Sequence, residues 1–168
     1  MLKYNNLLRS PDATDGGEVD PMSQAAASTD TSFPVLAGDR IYRMEIKSAS
    51  VEVGKADAEN KMLVLKLVTT KDATFSDGKK AKAGWPVFKR IGVVPLAAND
   101  KRQEYSPKDV AKNLALLNKA VGRGEKSALD TINDPKYLEG MQVDCRIGVA
   151  PAKGAYGESN TIAFVLPA

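Results

Sequence analysis

No histidine occurs anywhere in this chain of 168 residues, and cysteine occurs once, at Cys145. The first absence removes the Ser-His and Cys-His couples of nucleophilic catalysis and leaves only one thiol and carboxylates for zinc, a poor ligand set. The second excludes an internal disulfide; a lone Cys inside an apolar alternation reads as a small buried hydrophobe, and nothing asks for an oxidising compartment. Aromatic residues are also few, at 6% with one tryptophan and four phenylalanines, so any cluster of rings carries information. No apolar run approaches the ~20 residues of a membrane-spanning helix, and no apolar stretch follows the single lysine near the N-terminus, so neither a span nor a secretory signal is expected. Gly122-Arg123-Gly124-Glu125-Lys126-Ser127 lacks the Gly-Lys-Ser/Thr order of a phosphate loop and reads as a turn after a helix. These exclusions predict a cytoplasmic protein that is not an enzyme and that uses no metal or cofactor.

The chain is long enough for one domain with a hydrophobic core and short for two. Its 43% hydrophobic and 27% charged residues match ordinary globular usage, so a folded body needs no staple. The net charge of +3 is unevenly spread. In residues 1–32, Lys3 and Arg9 stand against Asp12, Asp15, Glu18, Asp20 and Asp30, a net −3, which leaves +6 on residues 33–168. Residues 10–32 are rich in Ser, Thr, Asp, Gly, Pro and Ala without a sustained apolar period, so 1–32 is predicted as a flexible acidic arm and 33–168 as the folded domain. A basic body with an acidic arm suits a binder of polyanions.

Periodicity outlines the body. Tyr42, Met44 and Ile46 alternate, then the phase slips by one to Ala49, Val51 and Val53, the signature of a bulge in a long, curved first strand. A second strand carries Leu63, Leu65 and Leu67 on one face with Val64 and Val68 opposite. Past the turn at Asp77-Gly78, a third carries Val87, Ile91 and Val93. Ser106, Pro107 and Asp109 then read as the N-cap, first-turn proline and capping partner of a helix with Val110, Leu114, Leu117 and Val121 on one side. Residues 122–139 are predicted as a connection with one helical turn at Asp134-Pro135. Met141, Val143, Cys145, Ile147 and Val149 alternate as a fourth strand, and Ile162, Phe164 and Leu166 as a fifth. Three strands, a helix and two strands is the order of a five-stranded Greek-key barrel of the oligonucleotide-binding (OB) type, mainly β, with the helix between strands three and four.

Such a barrel takes its ligand across strands two and three, flanked by the loops joining strands one to two and four to five. Chemistry concentrates in those places. Lys79, Lys80, Lys82, Lys89 and Arg90 flank Trp85 and Phe88 at the approach to strand three, the first loop supplies Lys55, and the second supplies Lys153 and Tyr156. Cations neutralise phosphates, and ring faces stack on bases of any sequence. The same residues admit a plainer reading, with Trp85 and Phe88 in the core, the lysines solvating a turn, and Tyr156 packed on its own hairpin. From residue 66 to 102 nine basic residues face three acidic ones, so the basic bias is local.

The body resembles a phage-encoded family, formerly a domain of unknown function, some members of which are regarded as single-stranded DNA-binding proteins. The likeness spans roughly residues 33–167. It lies in Leu36-Ala37-Gly38-Asp39-Arg40-Ile41-Tyr42, in Met62-Leu63-Val64-Leu65, in Leu114-Ala115-Leu116-Leu117-Asn118-Lys119-Ala120-Val121-Gly122, in Tyr137-Leu138-Glu139-Gly140 and in Lys153-Gly154-Ala155-Tyr156-Gly157-Glu158-Ser159-Asn160. The resemblance implies that Tyr42, Trp85, Lys153 and Tyr156 belong to the strand-binding surface. Two departures stand out: the acidic arm is long, and the sequence closes on Leu166-Pro167-Ala168 without the acidic tail through which bacterial single-strand binders recruit partners. Two functions are therefore carried forward. One is a non-sequence-specific single-stranded DNA-binding protein of phage replication or recombination, acting in the host cytoplasm. The other is a cement or decoration subunit of a virion, its barrel a scaffold and residues 1–32 its contact with neighbouring subunits or further copies of itself.

Overall fold

A single 14-residue strand, β1 (Arg40–Val53), ties the molecule together by pairing with different partners along its length. The computed structural model describes residues 34–55, 59–153 and 157–167, so the predicted arm 1–32 lies outside the described residues. The N-terminal half of β1 pairs with β6 (Gln142–Ala150), Arg40 facing Ile147 through Glu45 facing Gln142. Its C-terminal half pairs with β2 (Lys61–Thr69), and the register jumps between Ile46 and Ser48. The jump falls at Lys47, where the apolar phase of the sequence slips. An extra residue there lets Met44 and Ile46 on one side, and Ala49 on the other, all reach the same buried face.

Two short strands follow β2, β3 (Ala73–Thr74) and β4 (Lys80–Ala81), which form a separate hairpin. The sequence pattern predicts only a turn here, because two-residue strands carry no periodicity. Gly78 takes φ of 90° at the tip, and Asp77 accepts the Lys79 N–H at 2.9 Å. Then come β5 (Pro86–Gly92), α1 (Pro107–Ala120), α2 (Ala128–Asn133), a 3₁₀ turn (Pro135–Leu138), β6, and β7 (Ser159–Phe164). The five longer strands form one antiparallel sheet in the order β5-β2-β1-β6-β7, which makes the fold mainly β. Leu166, expected within the last strand, lies beyond it and is exposed.

The capping residues of α1 are those the sequence predicts. Ser106 accepts the Asp109 N–H, and Asp109 accepts the Ser106 N–H at 2.8 Å. The reciprocal pair satisfies two of the N–H groups that a helix start leaves open, while Pro107 has none to satisfy. Helix α2 repeats the device with Ser127 and Asp130. It stands where only a loop with one turn is expected, because six residues are too few to establish a helical apolar period.

Three polar side chains join these helices. Asn118, almost wholly buried, donates to Thr131 Oγ1 at 2.9 Å and accepts from the Tyr137 hydroxyl, and Thr131 and Tyr137 share a 2.8 Å hydrogen bond. Leu114 and Leu117 of α1 and Leu138 of the 3₁₀ turn join the sheet residues Met44, Ile46, Leu63, Leu65, Leu67, Val143 and Ile147 in one core. Each such side chain contributes about 1.5–3 kcal/mol by leaving water. Tyr105, just ahead of α1, lies against β5, where a Cβ on Gly92 would sit 2.8 Å from its ring. Among the described residues no helix is long and apolar enough to cross a membrane.

Candidate nucleic-acid interface

Strand β5 decides which of the clustered cations and rings reach the surface. Val87 and Ile91 are buried, so the pleat turns Phe88 and Arg90 to the opposite, outer face. Phe88 is 51% exposed. Across the sheet Phe88 faces Lys66, which faces Ser48; Arg90 faces Val64, which faces Ser50. The outer face of β5, β2 and β1 is thus two parallel rows, an exposed ring and a guanidinium on one strand, Lys66 and Val64 on the next, and two small hydroxyls on the third.

Neither Lys66 nor Arg90 has an ion-pair or hydrogen-bond partner among the described residues. On the outer face of the β1–β6 half, Arg43 meets Asp144 at 3.2 Å and Gln142 at 3.3 Å, so its charge is already matched within the sheet, while the exposed Arg146 faces Ile41 and Ala163. Lys66 was not foreseen as a site residue. The signal was present, since Leu63, Leu65 and Leu67 pointing inward require Lys66 to point outward beside Val64.

Three expected site residues are turned away from this face. Trp85 is 6% exposed and meets the edge of Phe75 at 4.6 Å between ring centroids with an 80° interplanar angle. Its backbone N–H donates to Thr69 Oγ1 at 3.1 Å. Gly84, with φ of 92°, swings the chain into β5 just before it, and the β3–β4 hairpin lays Phe75 over the indole. The expected stacking role of Trp85 is therefore corrected to core packing. Tyr42 faces the buried Cys145 across β1 and β6, and its hydroxyl is placed to donate to Ala37 O at 3.3 Å and Thr74 O at 3.4 Å, tying the hairpin to the sheet. Lys89 lies on the inner face opposite Leu65, and its Nζ donates to the Ile162 carbonyl of β7 at 2.9 Å. Burial lowers its pKa below 10.5, and the neighbouring Cys145 thiol acts weakly the other way. That thiol is itself pushed up to about 12, chiefly by burial and then by Asp144.

The remaining cations lie in loops and on the hairpin. Lys79 and Lys80 are exposed on the β3–β4 hairpin, with Lys79 3.8 Å from Asp77, and Lys82 is exposed just after β4. Lys55 is exposed in the loop joining β1 to β2, and Lys153 in the loop joining β6 to β7. Tyr156 lies outside the described residues. Among the described residues no group of His, Cys, Asp or Glu is arranged to hold a metal ion. Compared with protein-family models, curated proteins and solved structures, the chain finds no match.

Proposed function

We propose that this chain is a non-sequence-specific single-stranded DNA-binding protein of phage replication or recombination, built on an OB-type barrel and acting in the host cytoplasm without catalysis. The observation that carries the reading is the outer face of β5, β2 and β1, where the exposed ring of Phe88 has Lys66 across the sheet and Arg90 along its strand, two cations with no carboxylate partner among the described residues. A base stacked on Phe88 and phosphates set against Lys66 and Arg90 would use all three without any sequence readout. Ser48 and Ser50 keep the floor of the track low, and the Ser50 hydroxyl donates to Glu52 at 3.0 Å, which leaves Ser48 as the hydroxyl for sugars and phosphates.

The strand order supports the barrel. β5-β2-β1-β6-β7 is the sequence of neighbours in an OB barrel laid open between its third and fifth strands, and the Lys89 to Ile162 hydrogen bond spans those same two strands. In that geometry Lys55 and Lys153 sit on the two loops that flank the ligand, and Lys79, Lys80 and Lys82 extend the phosphate path. The phage setting rests on the family resemblance alone.

One observation favours the virion reading, the packing of the buried Trp85 and the partly buried Tyr42 as scaffold residues. Fluorescence anisotropy of a labelled oligothymidine separates the two. Binding at low salt that weakens as salt rises, with a log-log slope of about −0.7 for each phosphate neutralised, supports strand binding. No anisotropy change at any salt, together with self-assembly that depends on residues 1–32, supports the virion subunit.

A further inference from the structure

A cleft of 220 Å³ opens between β5, β7 and α1. Its polar rim is Lys89, Arg90 and Asn113, and its apolar wall includes Leu116, Ile162 and Phe164. Two features of the rim are unmatched from within. Lys89 spends one N–H on the Ile162 carbonyl and Arg90 spends none, so two cations border the cleft with no carboxylate against them among the described residues. Asn113 donates to the Tyr105 hydroxyl at 3.0 Å, which leaves its Oδ1 and a second N–H available. Holding an unpaired ammonium half-buried is unfavourable, and the lowered pKa of Lys89 reports that cost. An anion seated in the cleft would relieve it.

The apolar wall limits what the anion can be. Leu116 is 36% exposed, and with Ile162 and Phe164 it gives a surface suited to a flat heterocycle rather than to a bare ion. We infer that this cleft is a nucleotide subsite, in which Lys89 and Arg90 hold a phosphate, the wall takes the base, and the Asn113 amide meets the base edge. The inference rests on the strand-binding reading and extends it, because Arg90 belongs both to the outer row beside Phe88 and to the rim of the cleft. A strand crossing the Phe88 face would turn over β5 at Arg90 and place its terminal nucleotide here.

The test is methyl NMR on the full chain, titrated separately with thymidine 5′-monophosphate, thymidine and inorganic phosphate. The monophosphate should shift the Leu116 and Ile162 methyl signals, and each of the other two probes should bind roughly tenfold more weakly or worse, since each lacks half of the contacts. Asn113→Asp, which puts a negative charge on the rim, and Leu116→Trp, which fills the mouth from a partly exposed position, should each weaken the monophosphate by roughly tenfold or more. Leu129→Ala, on the exposed side of α2, serves as the neutral control. Unmoved cleft methyls at millimolar monophosphate, or inorganic phosphate binding as tightly as the nucleotide, would overturn the subsite. Oligothymidine binding with the cleft methyls unmoved overturns this inference and leaves the strand-binding reading intact. Monophosphate in the cleft with no oligothymidine binding retires strand binding and leaves the nucleotide site.

Discussion

Phe88 and Trp85 lie three positions apart, and an odd separation along an extended chain sends their rings to opposite sides of the sheet. Trp85, Val87 and Ile91 fall on the buried side, and Phe88 is left to meet a ligand. Phe88→Ala should therefore weaken oligothymidine by about 1–3 kcal/mol, measured by anisotropy, with little change in melting temperature. Trp85→Ala should instead destabilise the fold by about 3–5 kcal/mol in urea titrations, as expected for emptying a packed aromatic site. The cluster of cations around these rings was legible in the sequence, but its facing was not. Facing depends on where the strand begins, and Gly84 and Pro86 set that start after a hairpin too short to show a pattern. Lys89 adds a pH-dependent consequence. Its pKa is lower folded than unfolded, so the unfolded chain binds the proton more readily, and stability should rise with pH from the lowered value up to about 10.5. Thermal melts across that window should show the rise in the native chain and a flatter profile in Lys89→Met; equal slopes would show that the ammonium is fully solvated.

The bulge in β1 is the element on which the register of the sheet turns. Without the extra residue at Lys47, the alternation through Met44 and Ile46 would bury Ser48 and expose Ala49; the structure does the reverse, with Ala49 3% exposed and paired to Leu65. Ser48→Asp should therefore fall within about 0.5 kcal/mol of the native stability, while Ala49→Asp should cost about 3 kcal/mol or more by burying an unpaired charge. The opposite ranking would place the slip elsewhere. Bulge, inward leucines and α1 cap were all readable, because each leaves a mark of several residues. Helix α2 was missed, although its capping residues Ser127 and Asp130 repeat the spacing that identified α1. Its short apolar face offered no period to go with the cap.

At the scale of the whole molecule, charge and topology separate into independent contributions. The five longer strands form an antiparallel sheet, and its outer face carries Lys66 and Arg90 with no ion-pair partner among the described residues, beside the matched Arg43–Asp144 pair. Lys79, Lys80 and Lys82 stand on a hairpin whose buried residues are Ala73, Phe75 and Ala81, so their side chains contribute charge with little packing. Replacing all three by Ala should lower the salt slope of oligothymidine binding by about 2 and leave the melting temperature nearly unchanged. An unaltered slope would remove the hairpin from the phosphate path. Photocrosslinking a bromodeoxyuridine-substituted oligonucleotide to the full chain, followed by peptide mass spectrometry, locates the strand most directly. Attachment at Phe88 or its neighbours on β5 and β2, suppressed by salt, is the result expected of the outer face. Attachment confined to other elements, or none at low salt, would contradict it.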